Sequence, residues 1–206
     1  MDVSRPAAGR AYRVGLLGLA SGSDAPVLAF LRQGLRDLGY EEGKNLVVEY
    51  RTAEGKYDRL PALAVQLVGL KIDVFVTYGT PGALAAKQAT TTIPVVVALI
   101  GDAVAAGVVP SLARSGSNIT GSQYQYPELM GKRIEVLMNA TSHLARVAVL
   151  FNPANPSMRP ALKTIEETAR YLNVELQQIE ARGPNDFDGA LARDGRASRP
   201  GFRSGR

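Results

Sequence analysis

The chain has 206 residues, 46% hydrophobic and 21% charged, which is enough for one large globular domain or two small ones. It has no cysteine, which excludes a disulfide framework, thiolate catalysis and a cysteine-based zinc site. The net charge of +5 is concentrated in the tail: residues 193–206 hold five Arg and one Asp, which leaves 19 basic and 18 acidic residues in 1–192, a net of +1 with no basic stripe, and argues against a nucleic-acid partner.

Residues 1–11 read as a lead-in, with arginine but no apolar stretch of the kind a signal peptide needs. Residues 12–19 form a first apolar strand. Residues 20–26, ASGSDAP, form a turn in which Ser23 or Asp24 caps the next helix and Pro26 lies in its first turn. That helix places Val27, Phe30, Leu31, Gly34, Leu35 and Leu38 on one face, and Gly39 ends it. Residues 45–51 alternate and read as strand two. Asp58 is placed to cap a helix carrying Leu60, Leu63, Ala64, Leu67, Val68 and Leu70.

Residues 73–102, DVFVTYGTPGALAAKQATTTIPVVVALIGD, organise the rest. A strand over 73–78 is broken by Gly79-Thr80-Pro81-Gly82, followed by a short helix over 83–89 and a strand over 93–100. Both strands are apolar on both faces, as in a parallel sheet with helices on either side. Ligands of open α/β sheets bind beyond the carboxyl ends of the strands. The turns Gly79-Thr80 and Gly101-Asp102 are therefore candidate holding points for something small.

Residues 104–113 read as a helix with Gly107 inside it, followed by a turn at 115–117 and a fifth strand over 118–122. Residues 123–127 read as a crossing between lobes. A helix over 127–140 turns Leu129, Ile134, Leu137 and Met138 inward. A strand over 146–151, a polar turn over 152–156, a helix over 160–172 and a strand over 174–179 follow, and a last helix begins at Asp186. The strand–helix period is about 25 to 30 residues, that of βαβ units. The expected organisation is a complete doubly wound α/β lobe over 12–125, a partial lobe of the same kind over 126–192, and an Arg/Gly/Ser tail over 193–206. The tail has one large apolar residue, Phe202, and is expected to be disordered. Nothing in the chain is a run of 18 apolar residues, so no membrane insertion is expected.

The sequence carries none of the common catalytic signatures. The first turn reads GLLGLAS, not G-x-G-x-x-G, and Glu49 alone is a poor ribose-binding acid. No P-loop and no G-x-S-x-G elbow occur. The single histidine, His143, lies in a Thr-Ser-His loop and reads as solvated. Histidine or cysteine metal sites are excluded by count. Asp24 and Asp102 could face each other as acids, but Asp24 is more simply a cap. For Asp102, capping and ligand binding both stay open. No catalytic residue, metal site or cofactor is expected.

Three stretches together carry a resemblance: GKNLVVEYR, the run from Thr80 to Thr90 (TPGALAAKQAT), and the run from Ile93 to Gly121 with IPVV, GDAVAAGVV and LARSGSNITG. VAVLFNPANPSM also fits. The chain resembles the ABC-transporter substrate-binding proteins of the tryptophan/tyrosine-binding type over residues 12 to about 190. The resemblance implies a periplasmic-binding-protein-like fold of two α/β lobes, with a small ligand such as an aromatic amino acid in the cleft between them. It also implies hinge closure, docking on an ABC permease, and no catalysis. Carried onto this sequence, the ligand-facing residues are Ser21, Gly79, Thr80 and Asp102 in lobe one, and Asn152 and Asn155 in lobe two. Thr80 would take a ligand carboxylate or only cap its helix, and Asp102 would take an ammonium. Tyr78 and Tyr124 would flank a ring, with core packing the simpler role for Tyr78. The family's location is extracytoplasmic, whereas the N-terminus as it stands points to the cytoplasm. The second lobe is expected to be truncated relative to the family. A cytosolic effector-binding or sensory module of the same fold is the alternative reading.

Overall fold

β1 (Tyr12–Gly18) is the second strand of a five-stranded sheet, in register on one side with the edge strand β2 (Leu46–Thr52) and on the other with β3 (Val74–Thr77). β4 (Val95–Ile100) and β5 (Ile119–Gln123) extend it to the order β2-β1-β3-β4-β5, and all four pairings are parallel. The computed structural model describes residues 9–113, 116–124, 126–141, 144–190 and 192. His143 and the tail at 193–206, read above as a solvated loop residue and as disordered, lie outside them.

The helices cover both faces. α1 (Ser21–Asp37) packs Leu28, Leu31 and Leu35 against Val14, Leu16, Leu46 and Val76. α2 (Leu60–Gly69) and α3 (Gly79–Ala89) cover the other face, where Leu17, Phe75, Val95 and Val97 meet Leu60, Leu67 and Ala83. Alternating residues of a strand point to opposite faces, so Leu16 and Leu17 seed the two cores separately. This is the doubly wound α/β arrangement that the strand–helix alternation predicts.

The chain divides into two units, Met1–Tyr124 and Gln125–Arg206. The second contains α4 (Tyr126–Ala140), β6 (Arg146–Phe151), α5 (Met158–Tyr171) and β7 (Glu175–Glu180). β6 and β7 pair in parallel along their whole length. Their core joins Phe151 to Met130, Ile134, Met158, Ala161 and Ile165.

Several details differ from the sequence reading. Residues 104–113 are turns, not a helix. Gly107 takes φ +70°, a left-handed conformation that a right-handed helix cannot contain. Val108 and Val109 are buried against the main core even so. In α1 the inward stripe is Leu28, Leu31 and Leu35, and Phe30 points outward at 77% exposure. In α4 the inward residues are Met130, Ile134 and Met138, while Leu129 and Leu137 are exposed. Asp58 sits in a short 3-10 turn, Tyr57–Arg59, and the helix after it has no side-chain cap. α3 starts at Gly79, so Gly79-Thr80-Pro81-Gly82 is its first turn rather than a break.

Candidate functional site

The strand order reverses between β1 and β3, and this switch point is where open α/β sheets leave a crevice at their carboxyl edge. β1 leads into Leu19, Ala20 and the first residue of α1, Ser21. β3 leads into Tyr78 and the first turn of α3, Gly79 and Thr80. Gly79 has φ +68°, and a Cβ there would stand 2.8 Å from Leu19 Cδ1. A side chain at position 79 would thus be strained by its backbone and would press on the Leu19 side chain in the turn after β1. Ser21, Gly79 and Thr80 therefore flank the switch point. Thr80 is buried at 2% exposure, and the N-cap position of α3 belongs to Tyr78.

Asp102 follows β4, one strand further along the same edge. Its Oδ1 accepts hydrogen bonds from the amides of Val104 (3.0 Å) and Ala105 (2.9 Å), holding the turn that replaces the expected helix. Gln123 at the end of β5 supports the same turn, its Oε1 accepting from the Ala103 amide at 3.3 Å. Tyr124 donates its backbone N–H to Ile100 O at 3.1 Å. A half-open cavity of about 280 Å³ lies beneath this turn, walled by Val97, Ile100, Val108 and Ile119 and rimmed by Ser122 and Gln123. It sits on the β4–β5 flank, away from the switch point.

In the second unit, Asn152 and Asn155 lie at the carboxyl end of β6. Asn152 donates its side-chain amide to Arg182 O at 2.9 Å, and its Oδ1 accepts from the Ala154 amide at 2.9 Å. Asn155 Oδ1 accepts from the Ser157 amide at 3.1 Å, just ahead of α5. Both asparagines shape the turn between β6 and α5.

The feature not anticipated is the environment of Asp24. It is 1% exposed and accepts from five described donors. Oδ1 takes the amides of Leu19 and Ala20, each at 3.1 Å, and the Tyr78 hydroxyl. Oδ2 takes the Tyr50 hydroxyl at 2.6 Å and the Thr52 hydroxyl at 2.5 Å. The Leu19 amide also reaches Tyr78 Oη at 3.3 Å. Asp24 is thus no cap of the expected kind: α1 has Ala20 at its N-cap and no side-chain cap bond there. The carboxylate reaches back from the first turn of α1 into the strand ends. Gly18 makes this possible, because a Cβ there would overlap the carboxylate.

Burial pushes the Asp24 pKa up, but the hydroxyls of Thr52, Tyr50 and Tyr78 and the Ala20 amide together outweigh it, and the group titrates below its ordinary 3.8. Burial and the hydrogen bond to Asp24 push the Tyr50 phenol up to about 12. Glu49, a candidate ribose-binding acid by position, is instead ion-paired with Arg13 at 3.1 Å. Among the described residues no cluster of metal-ligating side chains occurs, and no helix is long and apolar enough to cross a membrane.

Residues 25–193 match the family model described as "ABC transporter substrate binding protein". A curated relative, the "Tyrosine-binding protein" of Clostridioides difficile (strain R20291), is 26% identical over 164 residues, which is 78% of this chain and 47% of that protein. The crystal structure of a conserved domain protein from Vibrio cholerae O1 biovar El Tor superposes with a TM-score of 0.83 at 28% identity, covering 92% of this chain and 64% of that one. The ABC domain from Streptococcus pneumoniae in complex with L-Trp gives a TM-score of 0.78 at 20% identity, covering 89% and 62%, a likeness of fold. The chain thus spans about half the length of the curated relative and under two thirds of these solved structures.

Proposed function

Because the chain belongs to the ABC transporter substrate-binding protein family, we propose that it serves as the solute-binding component of an ABC importer, with an aromatic amino acid as its ligand. The observation that carries the reading is the switch point: Ser21, Gly79 and Thr80 flank it at the carboxyl edge of a parallel sheet, and Asp102 stands one strand away. The curated relative named for tyrosine and the neighbour holding L-Trp support the choice of ligand class.

In this reading the electropositive N-terminal turn of α3, at Gly79 and Thr80, faces the ligand carboxylate. Asp102 accepts the ammonium. Its Oδ1 already holds two amides, and among the described residues no donor is seen at Oδ2, so the carboxylate keeps acceptor capacity. Asn152 and Asn155 are the corresponding turn residues of the second unit. The protein binds and hands over its solute, with a membrane permease as partner and an extracytoplasmic place of work, and no group of it does covalent chemistry.

The chain has no tryptophan of its own, so a change in the emission of added L-tryptophan reports binding with no protein tryptophan signal beneath it. Binding of L-tryptophan, L-tyrosine or L-phenylalanine, followed by calorimetry, is expected to weaken at least tenfold in Asp102→Ala, about 1.4 kcal/mol. Thr80→Ala is expected to weaken it as well. Micromolar binding indifferent to both substitutions would place the site elsewhere.

A further inference from the structure

Asp24 binds together the carboxyl ends of three adjacent strands. Tyr50 and Thr52 come from β2, the Leu19 and Ala20 amides follow β1, and Tyr78 follows β3. The bond to Tyr78 is the informative one, because it crosses the switch point. Tyr78 is the N-cap residue of α3 and immediately precedes Gly79. Beyond the β1–β3 pairing and the Thr77 hydroxyl bond to Leu17 O, the first turn of α3 is thus tied to the turn after β1 through Asp24 Oδ1 and Tyr78 Oη, which also share the Leu19 amide. Asp24 Oδ1 also occupies the Leu19 and Ala20 amides, which would otherwise be natural donors to a ligand anion at the end of β1.

We infer that Asp24 is a positioning residue for ligand binding, acting through Tyr78 to hold the Gly79–Thr80 turn against the end of β1 and steering a ligand anion toward the N-terminus of α3. This rests on the proposed binding edge. Asp24 itself stays off the ligand: at 1% exposure, with five described donors around it, the carboxylate is already satisfied. The two oxygens are expected to differ in role. Oδ1 governs the geometry of the switch point, and Oδ2 secures the end of β2.

The test uses the full chain and four variants, Asp24→Asn, Tyr78→Phe, the double variant and Tyr50→Phe. Affinity for L-tryptophan is read by ligand fluorescence, stability by thermal unfolding, and local opening by amide hydrogen exchange. Tyr78→Phe removes only the hydroxyl, so it serves if Asp24→Asn does not fold. The expected result is a tenfold or greater loss of affinity in Tyr78→Phe and Asp24→Asn, with the double variant no worse than the worse single. Tyr50→Phe is expected to lower the unfolding temperature with less than a twofold change in affinity. Unchanged affinity in Tyr78→Phe, or equal affinity losses in Tyr78→Phe and Tyr50→Phe, overturns the inference and leaves Asp24 a stabilising group only. If the native chain binds none of the three aromatic amino acids, the ligand reading is what fails. The positioning inference is then decided by exchange: selective loss of protection over 79–83 in Tyr78→Phe supports it, and no loss there overturns it.

Discussion

At neutral pH Asp24 is a buried anion held by hydroxyl and amide dipoles, with no cation among its described partners. Each donor removed raises the cost of keeping such a charge buried. Its pKa in the fold lies below 3.8, so its ionised form stabilises the fold above that value, and the contribution is lost as pH falls through the lower folded pKa. Asp73 adds to the same acid limb, its pKa lowered first by the Arg13 amide and then by the Arg10 guanidinium. Tyr50 has the opposite sense. Its phenol is raised from 10 to about 12, so its contribution is whole below pH 10 and fades as pH climbs toward 12. Urea unfolding of the native chain is expected to show a stability plateau between these limits and a fall below about pH 4. Asp24→Asn should start from a lower plateau and fall less steeply in acid. An acid slope identical in both proteins would show that this carboxylate does not govern the limb.

Packing of α4 on α5 depends on a missing side chain. A Cβ at Gly131 would lie 2.8 Å from Thr168 Oγ1 and 3.3 Å from Thr164 Cγ2. The Thr168 hydroxyl cannot simply turn away, because it donates to Thr164 O at 2.8 Å. Gly131→Val is expected to destabilise the second unit by about 1–3 kcal/mol, and adding Thr168→Ala should recover part of it. A valine variant as stable as the native chain in thermal unfolding would mean that the two helices slide apart at no cost. Elements of this kind were partly legible in the sequence. The strands were, because β-branched apolar runs bounded by Gly and Pro leave few alternatives. The expected helix over 104–113 was not a helix, although Val104, Val108 and Leu112 recur at a helical interval. Gly107 in a left-handed conformation and Asp102 holding two amides build turns that bury Val108 and Val109 and leave Val104 and Leu112 exposed. Phe30 was misassigned because two helical stripes overlap in α1, and only the facing sheet chooses between them. The Asp24 cluster was not legible at all. Its hydroxyl donors lie 26, 28 and 54 positions away in sequence, and no local pattern announces such a meeting.

The two units differ in what holds them. Among the described residues, the first has five parallel strands with helices on both faces, whereas the second has two strands and the core around Phe151 and Ile165. Parallel pairs need cover on both faces, and small sheets are marginal by themselves. Amide exchange is expected to be slower by at least tenfold for β1, β3 and β4 than for β6 and β7. Equal protection in the two sheets would mean that the smaller one is as strongly held as the larger, contrary to its strand count.

Gly18 and Asp24 also constrain how the sequence can drift. With the aspartate present, any Cβ at position 18 overlaps the carboxylate. The reverse is not true: a shorter residue at 24 leaves Gly18 unharmed. Alanine at 18 therefore forces the carboxylate at 24 off its donors or follows its loss, and a lineage that has taken both steps regains the buried aspartate only against that methyl group. The neighbouring strand end thus acts as a ratchet, so that the loss of one buried charge, once followed by the gain of one methyl group, becomes hard to reverse.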